Sequence, residues 1–123
     1  MLSKIKSIIL KKNKSKIICL TAYSKNIAET LDDFTDIILI GDSLGSVLYS
    51  YNSTRKVSLN TMIEHSKSAR MGIKKSLMVV DMPYKTYRNK NEALKNAKKL
   101  LNYTRSQAIK LETNEKTLEI VKY

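Results

Sequence analysis

Tryptophan is absent from this 123-residue chain; cysteine, proline, histidine and phenylalanine occur once each, and glycine three times. The lone cysteine, Cys19, cannot close an internal disulfide, which excludes a stapled secreted scaffold and fits a reducing compartment such as the cytoplasm. So few glycines and prolines leave no linker or low-complexity segment, and the length is that of one domain. No apolar run approaches the roughly 20 residues of a membrane span, so no membrane partner is expected. Ser7-Ile8-Ile9-Leu10 is too short for a secretory signal, and further lysines follow it at once.

Acidic residues are also scarce: 11 Asp and Glu stand against 23 Lys and Arg, a formal net charge of +12. Such a balance suits an anionic partner. The lysines, however, are scattered through nearly every segment rather than gathered on one stripe, which favours a solvated surface, and no nucleic-acid partner is expected.

The apolar pattern alternates between two periods. Ile5, Ile8 and Ile9 recur at helical spacing, predicting an N-terminal amphipathic helix within residues 1–16. Ile17-Ile18-Cys19-Leu20 reads as a strand buried on both faces, in which Cys19 is an inert small hydrophobe. A helix follows with Ile27, Ala28, Leu31 and Phe34 on its inner face and Glu29, Asp32 and Asp33 turned away. Ile37 to Ile40 is a second strand, stopped at Gly41. After a long loop, Met62, Ile63 and Ala69 mark a helix ending near Gly72. Leu77 to Val80 is a third strand, closed by Pro83. Asn89, three residues before Glu92, opens a helix with Ala93, Ala97, Leu100 and Leu101 inside. Residues 107–111 read as a fourth strand, and 113–123 as a further helix.

Strict alternation of strands and helices means an α/β fold with parallel pairing. A doubly wound sheet would place a glycine-rich phosphate turn after an early strand, and neither GxGxxG nor GxxxxGKS/T is present. The pattern therefore predicts a (β/α) barrel of the TIM type. The full barrel uses eight strands and about 250 residues; four strands are legible here.

Reactive groups of such folds gather where strands end. Three acids stand at consecutive strand ends: Asp42 in Gly41-Asp42-Ser43-Leu44-Gly45, Asp81 in Asp81-Met82-Pro83, and Glu112 in Lys110-Leu111-Glu112. Brought together, their charges repel, and a hard divalent cation with oxygen ligands relieves that repulsion. Magnesium is the natural candidate. It keeps coordination positions for substrate oxygens, and Lys110, two residues from Glu112, offers a cation for a substrate carboxylate. His65, mid-helix with no second His or Cys near it, reads as a packing or hydrogen-bonding residue.

Thr21-Ala22-Tyr23, GDSLG at 41–45, Ser53-Thr54, Met62-Ile63 with His65, DMP at 81–83, Glu92-Ala93-Leu94 and KLE at 110–112, in this order, resemble the ketopantoate hydroxymethyltransferase family. The resemblance spans nearly the whole chain and the first half of the family's barrel. It implies one incomplete barrel domain over residues 1–123, with the second half absent from this chain. It further implies transfer of a hydroxymethyl group from 5,10-methylenetetrahydrofolate to the 2-oxo acid 3-methyl-2-oxobutanoate, in pantothenate biosynthesis. By the same resemblance, Asp42, Asp81 and Glu112 hold Mg²⁺, and Asp42, Ser43, Asp81 and Lys110 contact the 2-oxo acid. The family's general base, a glutamate, falls on a later strand, beyond Tyr123. Two positions depart from the pattern: Ser24-Lys25 replaces an acidic and an aromatic residue, and Thr113-Asn114 replaces a Gly-Gly pair.

Four strands of an eight-strand barrel leave two unpaired edges and an uncovered inner face. The expected partners are further copies of the chain or a complementary second-half polypeptide, beside the small-molecule 2-oxo acid and folate. A truncated relic would retain the same motifs without catalysis. A basic nucleic-acid-binding module would instead show salt-sensitive binding to DNA or RNA.

Overall fold

The computed structural model describes residues 3–123, the side chain of Lys116 excepted. Helix α1 (Lys4–Lys11) opens with the Ser3 hydroxyl accepting the N–H of Lys6 at 3.3 Å. The Lys4 ammonium donates to the carbonyls of Lys74 and Ser76 at 2.7 and 2.9 Å, and Lys11 pairs with Asp36. The helix therefore closes the end of the sheet at which the strands begin.

Strands β1 (Cys19–Thr21), β2 (Ile37–Ile40), β3 (Leu77–Asp81) and β4 (Ala108–Lys110) form one parallel sheet in the order β1-β2-β3-β4. This is the first half of a TIM-type barrel, four strands alternating with helices behind an N-terminal helix. Helix α2 (Lys25–Leu31) connects β1 to β2, α4 (Leu59–Arg70) precedes β3, and α5 (Lys90–Thr104) connects β3 to β4. Alternation along the strands sends Ile38, Ile40, Met78 and Val80 into a core with Met62, Ile63 and Ala69 of α4. The opposite face carries the register rows Thr21–Leu39–Val79–Ala108 and Asp81–Lys110. Leu39, Val79 and Ala108 are only half-buried there.

Local chemistry fixes the connections. Ser58 caps α4 through the N–H of Thr61, and Asn89 caps α5 through the N–H of Glu92 at 2.9 Å. Gly72 allows α4 to end against α2, since a Cβ there would lie 2.3 Å from the Lys25 carbonyl oxygen. With so few glycines, left-handed positions fall to other residues, among them Ser50 after α3 (Leu44–Tyr49) and Arg105 after α5, each at φ 53°.

Four readings of the sequence need correction. The first strand is not buried on both faces: Leu20 is 44% exposed and Cys19 lies on the surface, while Ile17 and Ile18 precede the strand. β1 is an edge strand with a neighbour on one side, so the apolar run records what the strand is built to face. On α2 the inner residues are Ala28 and Leu31; Ile27 and Phe34 are 53% and 73% exposed. The helix ends before Phe34, and Asp32 is turned inward, where its carboxylate accepts the N–H groups of Lys74, Lys75 and Ser76 at 2.8–2.9 Å. The long loop after Gly41 contains α3, at six residues too short to show a period, and a 3-10 turn at Thr54–Lys56. The terminal segment is a 3-10 turn at Glu115–Thr117 leading into α6 (Leu118–Lys122). Among the described residues no helix is long and apolar enough to cross a membrane.

Candidate active site at the strand ends

The loops after β2, β3 and β4 enclose an open cleft of about 570 Å³, its walls including Asp42, Thr54, Asp81, Tyr87, Lys110 and Glu112. Asp81 is the last residue of β3, on the face away from the helices, opposite Lys110 in register. Asp42 follows Gly41 at the end of β2, and its backbone N–H donates to Asp81 Oδ2 at 3.1 Å. A Cβ at position 41 would lie 2.8 Å from Ser43 Oγ and 3.5 Å from Asp81 Oδ2, so glycine leaves this floor open to polar atoms.

Charges in the cleft act on one another. Asp42 is held above the usual carboxylate range, first by burial and then by the negative charges of Asp81 and Glu112. The Lys110 ammonium lies 2.6 Å from Asp81 Oδ1. Burial opposes charge on Lys110, but contact with Asp81 and the nearby Glu112 and Asp42 outweigh it and raise its pKa. Asp81 itself is 5% exposed, and its Oδ1 has this close charge but no aligned hydrogen-bond donor. A buried carboxylate whose Oδ1 is met by the Lys110 ammonium alone, beside two further acids, is an oxygen donor set suited to a hard cation. Among the described residues, no three acidic, imidazole or thiol side chains are already drawn together as a metal cluster. The acids share a cleft, and a cation would still have to gather them.

The expected residues thus divide. Asp42, Asp81, Lys110 and Glu112 all line the cleft. Glu112 reaches it from a loop, because β4 ends at Lys110, so strand alternation does not place Lys110 and Glu112 as it would on a continuous strand. Ser43 is half-buried and outside the cleft lining, its hydroxyl 2.7 Å from that of Tyr23. His65 is a hydrogen-bonding residue, as read: Nδ1 meets the Tyr23 carbonyl at 2.8 Å and Nε2 the Tyr49 hydroxyl at 2.9 Å.

Among the cleft residues that received no role from the sequence, Thr54 and Tyr87 stand against the acids. The Thr54 side chain partly offsets the upward push on the Asp42 carboxyl, and the Tyr87 hydroxyl, its pKa raised first by burial, lies beside the backbone of Glu112. Both stand in loops that follow strands, which is the signal that points to them.

A model of the family described as ketopantoate hydroxymethyltransferase matches residues 3–123. The chain belongs to the ketopantoate hydroxymethyltransferase family. It is 65% identical over 119 residues to a 3-methyl-2-oxobutanoate hydroxymethyltransferase of Pelagibacter ubique, covering 97% of this chain and 46% of that protein. A protein of the same name from Chelativorans is 42% identical over 113 residues, 91% of this chain and 40% of its own length. One from Anaplasma marginale is 45% identical over 112 residues, again 91% and 40%. The chain therefore spans less than half the length of these relatives.

Proposed function

We propose that this chain supplies the metal- and 2-oxo-acid-binding half of a hydroxymethyltransferase that transfers a one-carbon unit from 5,10-methylenetetrahydrofolate to 3-methyl-2-oxobutanoate in pantothenate biosynthesis. The observation that carries the reading is the convergence of Asp42, Asp81 and Glu112 on one cleft, where burial first and then the other two acids push the Asp42 carboxyl upward. Asp42, Asp81 and Glu112 would hold Mg²⁺, which when bound supplies positive charge to the ketone oxygen of the acid and so acidifies its neighbouring C–H. Lys110 offsets the substrate carboxylate, and Thr54 fixes the Asp42 carboxylate. The name that these relatives bear, 3-methyl-2-oxobutanoate hydroxymethyltransferase, supports the same 2-oxo acid.

The family resemblance puts the proton-abstracting glutamate on a later strand, past Tyr123, so residues 1–123 by themselves are expected to be inactive. β1 and β4 each pair on one side, and the inner face bearing Thr21, Leu39, Val79 and Ala108 is incompletely covered. A polypeptide carrying the remaining strands, or another copy of the chain, would cover it. The unpaired Cys19 suits the cytoplasm.

The test is an assay of 2-dehydropantoate formation by the chain co-expressed with a second half taken from a relative. Turnover in the pair and none above background for the chain alone supports the proposal. Asp81→Ala in the pair should reduce turnover by about 100-fold or more. Unchanged turnover and magnesium dependence in that variant refute the site.

A further inference from the structure

Serine at a helix N-cap ordinarily turns its hydroxyl onto the first free N–H groups of the helix. Ser43 does not: it stands at the N-cap of α3 without a side-chain capping bond, and its hydroxyl faces that of Tyr23 at 2.7 Å. The absent Cβ of Gly41 leaves room for that hydroxyl, within reach of the same point as Asp81 Oδ2. Tyr23 is held in turn. Its carbonyl can only accept, so His65 Nδ1 carries the proton between them, and in the neutral ring Nε2 accepts the Tyr49 hydroxyl. One connected set thus runs from the end of α3 through α4 to the end of β1 and back to the start of α3.

We infer that Tyr23 is a positioning residue: its hydroxyl donates to Ser43 Oγ and thereby turns the Ser43 hydrogen toward a bound carboxylate, while His65 keeps Tyr23 in place. Between two hydroxyls either oxygen can donate. An anion beside Ser43 requires the Ser43 hydrogen, which leaves Tyr23 as the donor of the pair, and a donor that is itself hydrogen-bonded is the stronger one. This inference rests on the 2-oxo-acid reading above and adds Tyr23 and His65 to it.

The test is calorimetric titration of the chain with 3-methyl-2-oxobutanoate at saturating Mg²⁺, alongside thermal melts. Tyr23→Phe and Ser43→Ala should each weaken binding about tenfold, equivalent to 1.4 kcal/mol, and the double variant should bind no more weakly than Ser43→Ala. His65→Ala should also weaken it, with His65→Gln recovering part because its amide can donate to the Tyr23 carbonyl. Mg²⁺ affinity and melting temperature of Tyr23→Phe should match the unaltered chain, which a merely structural role would not give. Unchanged affinity in Tyr23→Phe or His65→Ala, or fully additive losses in the double variant, overturns the inference while leaving the function reading intact. Failure of the unaltered chain to take up the 2-oxo acid overturns both.

Discussion

Lys110 and Asp81 face each other across β3 and β4, the ammonium 2.6 Å from a carboxylate oxygen that is otherwise unpartnered. The cation nearest the proposed metal ligands is thus one of the protein's own. Lys110→Met should strengthen Mg²⁺ binding in the absence of substrate, by a few-fold, because a like charge leaves the cleft. The same variant should weaken binding of the 2-oxo acid. Titration with each ligand separately checks both signs.

Asp32 anchors the segment that leads into β3. Burial alone would raise its carboxyl, but the N–H groups of Ser76, Lys75 and Lys74 outweigh it and hold the pKa below the ordinary 3.8. A group whose folded pKa is depressed stabilises the fold above its unfolded value, so this contribution is complete well above pH 3.8 and lost as pH falls through the lowered folded value. Asp32→Asn removes the charge and one acceptor oxygen, and should cost about 1.5–3 kcal/mol in denaturant melts at neutral pH. The variant should also lose part of the acid sensitivity.

Arg105 ends α5 in the left-handed region at φ 53°. Its side chain is exposed, so glycine relieves the backbone without loss of packing. Arg105→Gly should stabilise the chain by about 1 kcal/mol, read as a higher urea midpoint at unchanged slope.

Asn89 caps the same helix at its start. Asn89→Ala should destabilise by about 1 kcal/mol, measured in the same way. Lys98→Ala, on an exposed position of that helix, should fall within about 0.5 kcal/mol of the unaltered chain.

Much of the architecture was legible because β2 and β3 are short β-branched runs, and because Asn89 and Glu92 announce α5. The site acids were legible for a related reason: each stands where such a run stops. What the sequence concealed depends on tertiary context. The apolar run of β1 cannot reveal which neighbours are present, so its exposure was invisible. Asp32 reads as a solvent-facing helix residue until the 74–76 segment arrives to use its carboxylate. Ser43 reads as a substrate contact from GDSLG, but only the fold brings Tyr23, 20 positions away, onto its hydroxyl.

The most direct measurement is a Mg²⁺ titration of the chain by calorimetry, with 3-methyl-2-oxobutanoate present, for the unaltered sequence and for Asp81→Ala. The expected result is a single saturable site in the unaltered chain and at least a tenfold loss of affinity, about 1.4 kcal/mol, in the variant. Equal affinity in the two, or no saturable site in the unaltered chain, contradicts a cation held jointly by Asp42, Asp81 and Glu112.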